Sequence, residues 1–263
     1  MAIFNSKSYS VLFIVFVFFL LQLNNVLSFS FNFINFHPGT NALIFEGDAF
    51  ASNGVLQLTK NQVDTPINGS AGRASYSEPL HLWDAKTGKL ADFTTQFTFF
   101  LKTINSSLLF GDGFSFFLAP VESDIPNNSS GAYLGLFSEE TALDASKNDI
   151  VAVEFDTYGN TWDPSFPHVG VDINQIKSLV YAQLASNIEK GSVATALINY
   201  NSTTKFLDVL VTYADKPAFS TKLTVGIDLA YVLPEWVRIG FSGATGQLVE
   251  IHDIVSWSFT STL

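Results

Sequence analysis

The chain has 263 residues, 24 Asp and Glu against 13 Lys and Arg, a net charge of −11 and 26 phenylalanines. That acidic balance excludes nucleic acid and an anionic membrane surface as partners, because either needs clustered cations. No cysteine is present, so a core, bound metal or association must hold the fold in place of disulfides.

Residues 1–28 read as a cleaved secretory signal. Lys7 gives a positive start, Val11 to Leu21 is unbroken apolar sequence, and Val26-Leu27-Ser28 precedes the cut. The apolar run falls short of the ~20 residues that a membrane span needs. Residues 29–263 then form one domain with a substantial core and no second apolar segment suited to a span. The expected destination is the secretory pathway, ending in an extracellular or vacuolar (protein-storage) compartment. Five Asn-x-Ser/Thr sequons, at Asn68, Asn105, Asn127, Asn128 and Asn201, agree with that route as candidate glycosylation sites.

Phe29 to Phe36 alternates aromatic with polar residues, the pattern of a half-buried strand. Short strands are predicted at Asn41–Phe45 and at Val55–Thr59 after the turn pair Asn53-Gly54, and Gly72–Ser77 and His81–Trp83 carry the chain on through Pro79 to Asp84. Phe93–Lys102 alternates most clearly. Gly113–Pro120 is almost continuously apolar and so central in a sheet. Tyr133–Phe137 reads as one more short strand. Further strands are predicted at Val169–Ile173, Val193–Tyr200, Phe206–Tyr213, Leu223–Asp228, Val237–Ser242 and Asp253–Ser261. The only helical turn is at Asp228–Leu233, cut off by Pro234. Many strands with turn residues between them, and no alternation with helices, predict an all-β, antiparallel two-sheet sandwich in a single domain.

The chemistry concentrates between Val151 and His168. The strand Val151–Asp156 sends Glu154 and Asp156 to one face, roughly 7 Å apart, and a loop then adds Asn160, Asp163 and His168. Carboxylates this crowded repel one another unless a divalent cation sits among them. Asp156, Asp163, the Asn160 amide oxygen and a backbone carbonyl are hard oxygens suited to calcium. Glu154 and His168 add the nitrogen and carboxylate that suit a transition metal such as manganese, with Asp156 and Asp163 able to bridge both. Ser178 is placed to orient a metal-bound water.

Glu154-Phe-Asp-Thr-Tyr-Gly-Asn160, Trp162-Asp-Pro and His168-Val-Gly-Val-Asp-Ile-Asn174 resemble the metal-binding signature of the legume lectins. Asp112-Gly-Phe-Ser-Phe-Phe-Leu-Ala-Pro120, Leu233-Pro-Glu-Trp-Val-Arg-Ile-Gly-Phe-Ser242 and Ser256-Trp-Ser-Phe259 extend the resemblance over residues 29–263. It implies a jelly-roll sandwich that binds glycans and glycoproteins beside Ca2+ and Mn2+, without catalysis, as a homodimer or homotetramer. Glu154, Asp156, Asp163 and His168 match the manganese ligands; Asp156, the Tyr158 carbonyl, Asn160 and Asp163 match the calcium ligands. Asp112, following a cis peptide at Gly111-Asp112, and Asn160 match the sugar-binding pair, and Tyr158 the stacking aromatic.

Two positions depart from or qualify the pattern. Ala132 stands where the family donates a backbone amide from glycine; alanine keeps the N–H but resists positive φ. Gln247 and Leu248 would offer amides from a loop whose shortness, between Gly246 and His252, resembles the mannose/glucose-binding members. Two other functions compete. A lectin-like storage or defence protein would keep the fold with weakened or lost sugar binding. A jelly-roll glycoside hydrolase would use Glu154 and Asp156 as its carboxylate pair, but a further glutamate should then follow, and Tyr158 and Gly159 stand there.

Overall fold

The computed structural model describes residues 27–62, 66–104, 109–185, 188 and 190–263. The leader expected over residues 1–28 falls outside them except for Leu27 and Ser28, and so does the sequon at Asn105. Among the described residues no helix is long and apolar enough to cross a membrane.

The strands in chain order are β1 (Ser28–Phe33), β2 (Leu43–Gly47), β3 (Phe50–Ser52), β4 (Val55–Gln57), β5 (Ala71–Tyr76), β6 (Leu80–His81), β7 (Asp92–Thr103) and β8 (Gly113–Pro120). They continue as β9 (Val151–Asp156), β10 (His168–Ile173), β11 (Val180–Gln183), β12 (Lys190–Asn201), β13 (Phe206–Tyr213), β14 (Ser220–Gly226), β15 (Trp236–Ala244) and β16 (Glu250–Thr262). Pairing is antiparallel throughout and forms two sheets. The back sheet runs β14-β13-β12-β7-β16-β4-β3, with β1 also on β16; the front sheet runs β11-β10-β9-β8-β15-β5-β2, with β6 also on β15. This is the sandwich predicted from the strand rhythm.

Alternation decides which residues enter the space between the sheets. In β7, Phe93, Thr95, Phe97, Phe99 and Leu101 are buried, whereas Thr94, Gln96 and Thr98 are not. Phe97 meets Phe116, Phe155 and Phe241 at centroid distances of 6.0, 5.7 and 4.9 Å, and Trp257 lies 4.8 Å from Phe241. Strands β8 and β9 are buried on both faces, which explains their continuous apolar sequence. Their outer face is covered by the connection after β8, whose Leu134, Leu136, Phe137 and Ala142 pack on Phe117, Ala119 and Ala152.

That covering layer corrects the strand expected at Tyr133–Phe137. Gly131–Tyr133 is a 3-10 turn, Leu134 is left-handed at φ 52°, and the Leu136 N–H donates to the Tyr133 carbonyl at 2.9 Å. The apolar residues there are buried by lying on the front sheet, and their backbone bonds are satisfied locally. The turn predicted before Pro234 is the short helix α1 (Leu229–Val232). β3 and β11 were not anticipated; three and four residues respectively are too few to show a period.

Candidate functional site

β9 and β10 are neighbours, with Asp156 opposite His168 and Glu154 opposite Gly170. Both strands send their odd apolar residues into the core, so Glu154, Asp156, His168, Gly170 and Asp172 share the outer face. Gly170 is required by the space: a Cβ there would lie 2.7 Å from Glu154 Oε1 and on top of the Ser178 hydroxyl. Glu154 Oε1 lies 3.0 Å from His168 Nε2 and 2.5 Å from Ser178 Oγ, which is also 2.8 Å from Asp172 Oδ1. Donor atoms of Glu154, Asp156 and His168 all fall within 4.8 Å of one another, and all three residues are buried.

The loop that follows supplies the remaining groups. The Tyr158 N–H donates to Asp156 Oδ1 at 2.7 Å, and the Asn160 N–H donates to Asp163 Oδ2 at 2.9 Å. Burial first, then Glu154 and Asp163, holds the Asp156 carboxyl well above the usual carboxylate range. Asp172 is raised likewise by burial and by Glu154. Asp163 is pushed up to about 6, chiefly by burial. Glu154 Oε2, Asn160 Oδ1 and His168 Nδ1 are buried without a hydrogen-bond partner. Orphaned oxygens, crowded carboxylates and one imidazole are the donor set that a divalent cation satisfies. Every metal-site residue expected from the sequence lies in this region, and the tight cluster is Glu154, Asp156 and His168. Asp172 was not anticipated, although its spacing two residues beyond Gly170 puts it on the same face.

Beside this cluster is a cleft of about 540 Å³ lined by Leu109, Asp112, Gly131, Ala132, Tyr158, Asn160, Gly246, Gln247 and Leu248. All six expected sugar contacts are on its walls. The Gly111-Asp112 peptide is cis, as the resemblance implied. The Asp112 carbonyl accepts from the Thr157 N–H at 2.9 Å, and the Asp112 N–H donates to the Ala244 carbonyl at 3.2 Å. Burial pushes its carboxyl up to about 6, against the lowering by His252 and by the Gly246 N–H. A Cβ on Gly246 would come within 2.9 Å of Asp112 Oδ2, so glycine leaves room for that carboxylate. The demand for positive φ expected at Ala132 falls on its neighbour. Gly131 takes the left-handed φ of 64°, and Ala132 is not among the residues with positive φ.

A second buried polar group lies beneath the cleft. Glu250 Oε1 is 2.5 Å from Thr157 Oγ1 and 3.0 Å from His252 Nε2, and His252 Nδ1 is 2.9 Å from Thr59 Oγ1. Sequence reasoning passed over it. The available signal was Glu250-x-His252, two polar residues on the same face of β16 as the core residue Ile254.

Elsewhere, His81, Asp84 and Glu235 also bring donor atoms within 4.8 Å, half-buried. Their carboxylates are already used: Glu235 Oε1 accepts from the Ala85 N–H, and Asp84 Oδ1 accepts from Lys86 and Thr87. Of the sequons, Asn68, Asn127, Asn128 and Asn201 are exposed. Asn201 Oδ1 accepts from the Thr204 N–H at 2.8 Å.

Residues 28–263 match the family model described as Legume lectin domain. The chain is 48% identical over 240 residues to Lectin 10 of Medicago truncatula, covering 89% of this chain and 83% of that protein. It is 45% identical over 242 residues to a mannose/glucose-specific lectin of Centrolobium tomentosum, covering 90% and 96%. Among solved structures it superposes on the lectin UEA-II complexed with galactose with a TM-score of 0.81 at 44% identity, covering 89% of this chain and 99% of that one.

Proposed function

Because the chain belongs to the legume lectin family, we propose that its cleft binds glycans without chemical turnover, with Ca2+ and Mn2+ as the resident ions. The observation that carries this reading is the meeting, in one cleft, of the Asp112 carboxylate, Asn160 and the 41% exposed ring of Tyr158, directly beside a buried carboxylate–imidazole cluster. Glu154, Asp156, Asp163 and His168 would hold manganese; Asp156, the Tyr158 carbonyl, Asn160 and Asp163 would hold calcium; Ser178 would orient a bound water. The ions supply the positive charge that keeps these carboxylates ionised.

The chain's own groups do the recognition. Asp112 accepts from sugar hydroxyls, the Asn160 amide nitrogen donates, and the backbone N–H groups of Ala132, Gln247 and Leu248 are further donors. Tyr158 covers the apolar CH face of the ring. Catalysis is not part of this reading, since Tyr158 and Gly159 stand where a hydrolase would carry its next acid.

The short loop from Gly246 to His252 and the mannose/glucose-specific relative favour mannose/glucose-type glycans; the relative complexed with galactose marks the competing specificity. A homodimer or homotetramer would cross-link glycoproteins through multivalency. Passage through the secretory pathway would allow modification of the exposed sequons.

A glycan array probed with the metal-loaded protein, with and without chelator, tests the whole reading. Binding that disappears with chelator supports it. Silence with metals present would leave a lectin-like storage or defence protein.

A further inference from the structure

Four stretches of chain wall the cleft: the segment through Asp112, the turn at Gly131-Ala132, the loop through Tyr158 and Asn160, and the loop from Gly246 to Leu248. The first, third and fourth converge on one carboxylate that does not itself line the cleft. Glu250 begins β16 two residues after Leu248 and is fully buried. Its Oε1 holds the hydroxyl of Thr157, the residue before Tyr158, at 2.5 Å. That same hydroxyl is 3.0 Å from the Asp112 carbonyl, which also accepts the Thr157 N–H. On the far side His252 of β16 bonds Glu250 Oε1 and is itself held at Nδ1 by Thr59 Oγ1.

Resting on the carbohydrate reading above, we infer that Glu250 is a positioning residue for sugar binding, acting through Thr157 on the backbone of Asp112. A threonine hydroxyl has one proton: given to Glu250, it fixes one of the side chain's few χ1 rotamers and with it the Thr157 backbone, whose N–H donates to the Asp112 carbonyl at 2.9 Å. Glu250 Oε2 is buried without a partner. A carboxylate kept there despite its desolvation, where an apolar side chain would pack without that cost, is retained for what Oε1 holds. Glu250 is outside the Glu154–Asp156–His168 cluster and is not among the residues lining the cleft, so its effect on sugar binding separates from metal loading.

The test uses the full chain loaded with Ca2+ and Mn2+, and a glycan that the wild type binds on the array. Glu250→Met keeps the bulk and removes the acceptor; Glu250→Gln keeps an oxygen for Thr157. Thr157→Val and Thr157→Ser make the same contrast from the other side. Calorimetry should show sugar affinity about tenfold weaker in Glu250→Met and Thr157→Val, and within about twofold of wild type in Glu250→Gln and Thr157→Ser. Metal content should be unchanged in both Glu250 variants. Wild-type affinity in a folded, loaded Glu250→Met overturns the inference, and so does an equal loss in Glu250→Gln and Glu250→Met. If Glu250→Met does not fold, the Thr157 pair decides on the same terms. A wild type that binds no glycan overturns the carbohydrate reading and this inference with it.

Discussion

The molecule buries two glutamate–histidine pairs with the same separation, Glu154 with His168 and Glu250 with His252, each at 3.0 Å. Their surroundings set them apart. Around the first pair stand Asp156, Asp163 and Asp172, whose carboxyls are all raised by burial and by neighbouring like charge. Around the second stand the hydroxyls of Thr157 and Thr59, which bond Glu250 Oε1 and His252 Nδ1. A buried pair crowded by carboxylates calls for a cation; a buried pair beside hydroxyls carries no such crowding and can hold backbone in place through them. The same two side chains would thus serve as part of a metal site in one setting and as a brace in the other.

The contrast breaks most sharply at Glu154. Glu154→Ala should abolish metal loading and, with it, detectable glycan binding, read as metal content and as calorimetric titration. The Glu250 variants should keep the metal. Next is Asp112→Asn, which converts the acceptor on the cleft wall into an amide while leaving the cation cluster intact. Loss of a hydrogen bond to a charged group is worth about 1.5–3 kcal/mol, so affinity should fall roughly 10- to 100-fold with normal metal content. Retained binding in Asp112→Asn would remove that carboxylate from the recognition set.

Acid should act on the cleft carboxylate and on the first pair's surroundings in a definite direction. The Asp112 and Asp163 carboxyls are each pushed up to about 6 by burial, above the value near 4 of an unfolded chain. Their ionisation opposes the metal-free fold, fully so above about pH 6, and this opposition is relieved as pH falls through 6 toward 4. A cation prefers the ionised form, so the same window releases it. Moving from pH 7 to pH 5 should weaken metal loading and glycan binding about tenfold. The metal-free protein should meanwhile melt no lower at pH 5 than at pH 7. A metal-loading curve flat across this range would count against Asp163 as a ligand, and glycan binding flat across it against Asp112 as an acceptor.

Much of this was legible because the ligands are close in sequence. Glu154 to His168 occupy one strand, one loop and the start of the next strand, and alternation alone puts Glu154 and Asp156 on one face. Strands such as β7 announce themselves by period. The Glu250 brace was not legible because its partners are distant: Thr157 is 93 residues away, and Thr59 is 193 from His252. Nor could period separate a strand at Tyr133–Phe137 from a turn pressed on the front sheet. Both bury the same side chains, and what decides is where the backbone bonds go. There Gly131 and Gly135, at φ 64° and 68°, take the chain out of extended geometry.

Tyr158 should matter less than the charged groups. Its ring is 41% exposed and presents an apolar surface without a charge, and such a contact contributes about 1 kcal/mol. Tyr158→Ala should cost roughly fivefold in affinity, with metal content unchanged because the backbone N–H on Asp156 remains. Tyr158→Phe, which keeps the ring, should bind within about twofold of wild type.

The smallest effect belongs to Ala132. Glycine is demanded where φ is positive, and that demand falls on Gly131, whose N–H donates to the Thr245 carbonyl at 3.1 Å. Ala132 lines the cleft without left-handed geometry, so its methyl stores no backbone strain that glycine would relieve. Ala132→Gly removes one methyl from the rim and adds backbone freedom worth about 0.5–1 kcal/mol to the unfolded chain. Glycan affinity should therefore stay within about twofold of wild type, with a slightly lower melting temperature. A gain of tenfold or more would instead mean that the methyl crowds the sugar, and that the amide at this position does not reach its hydroxyl in the wild-type cleft.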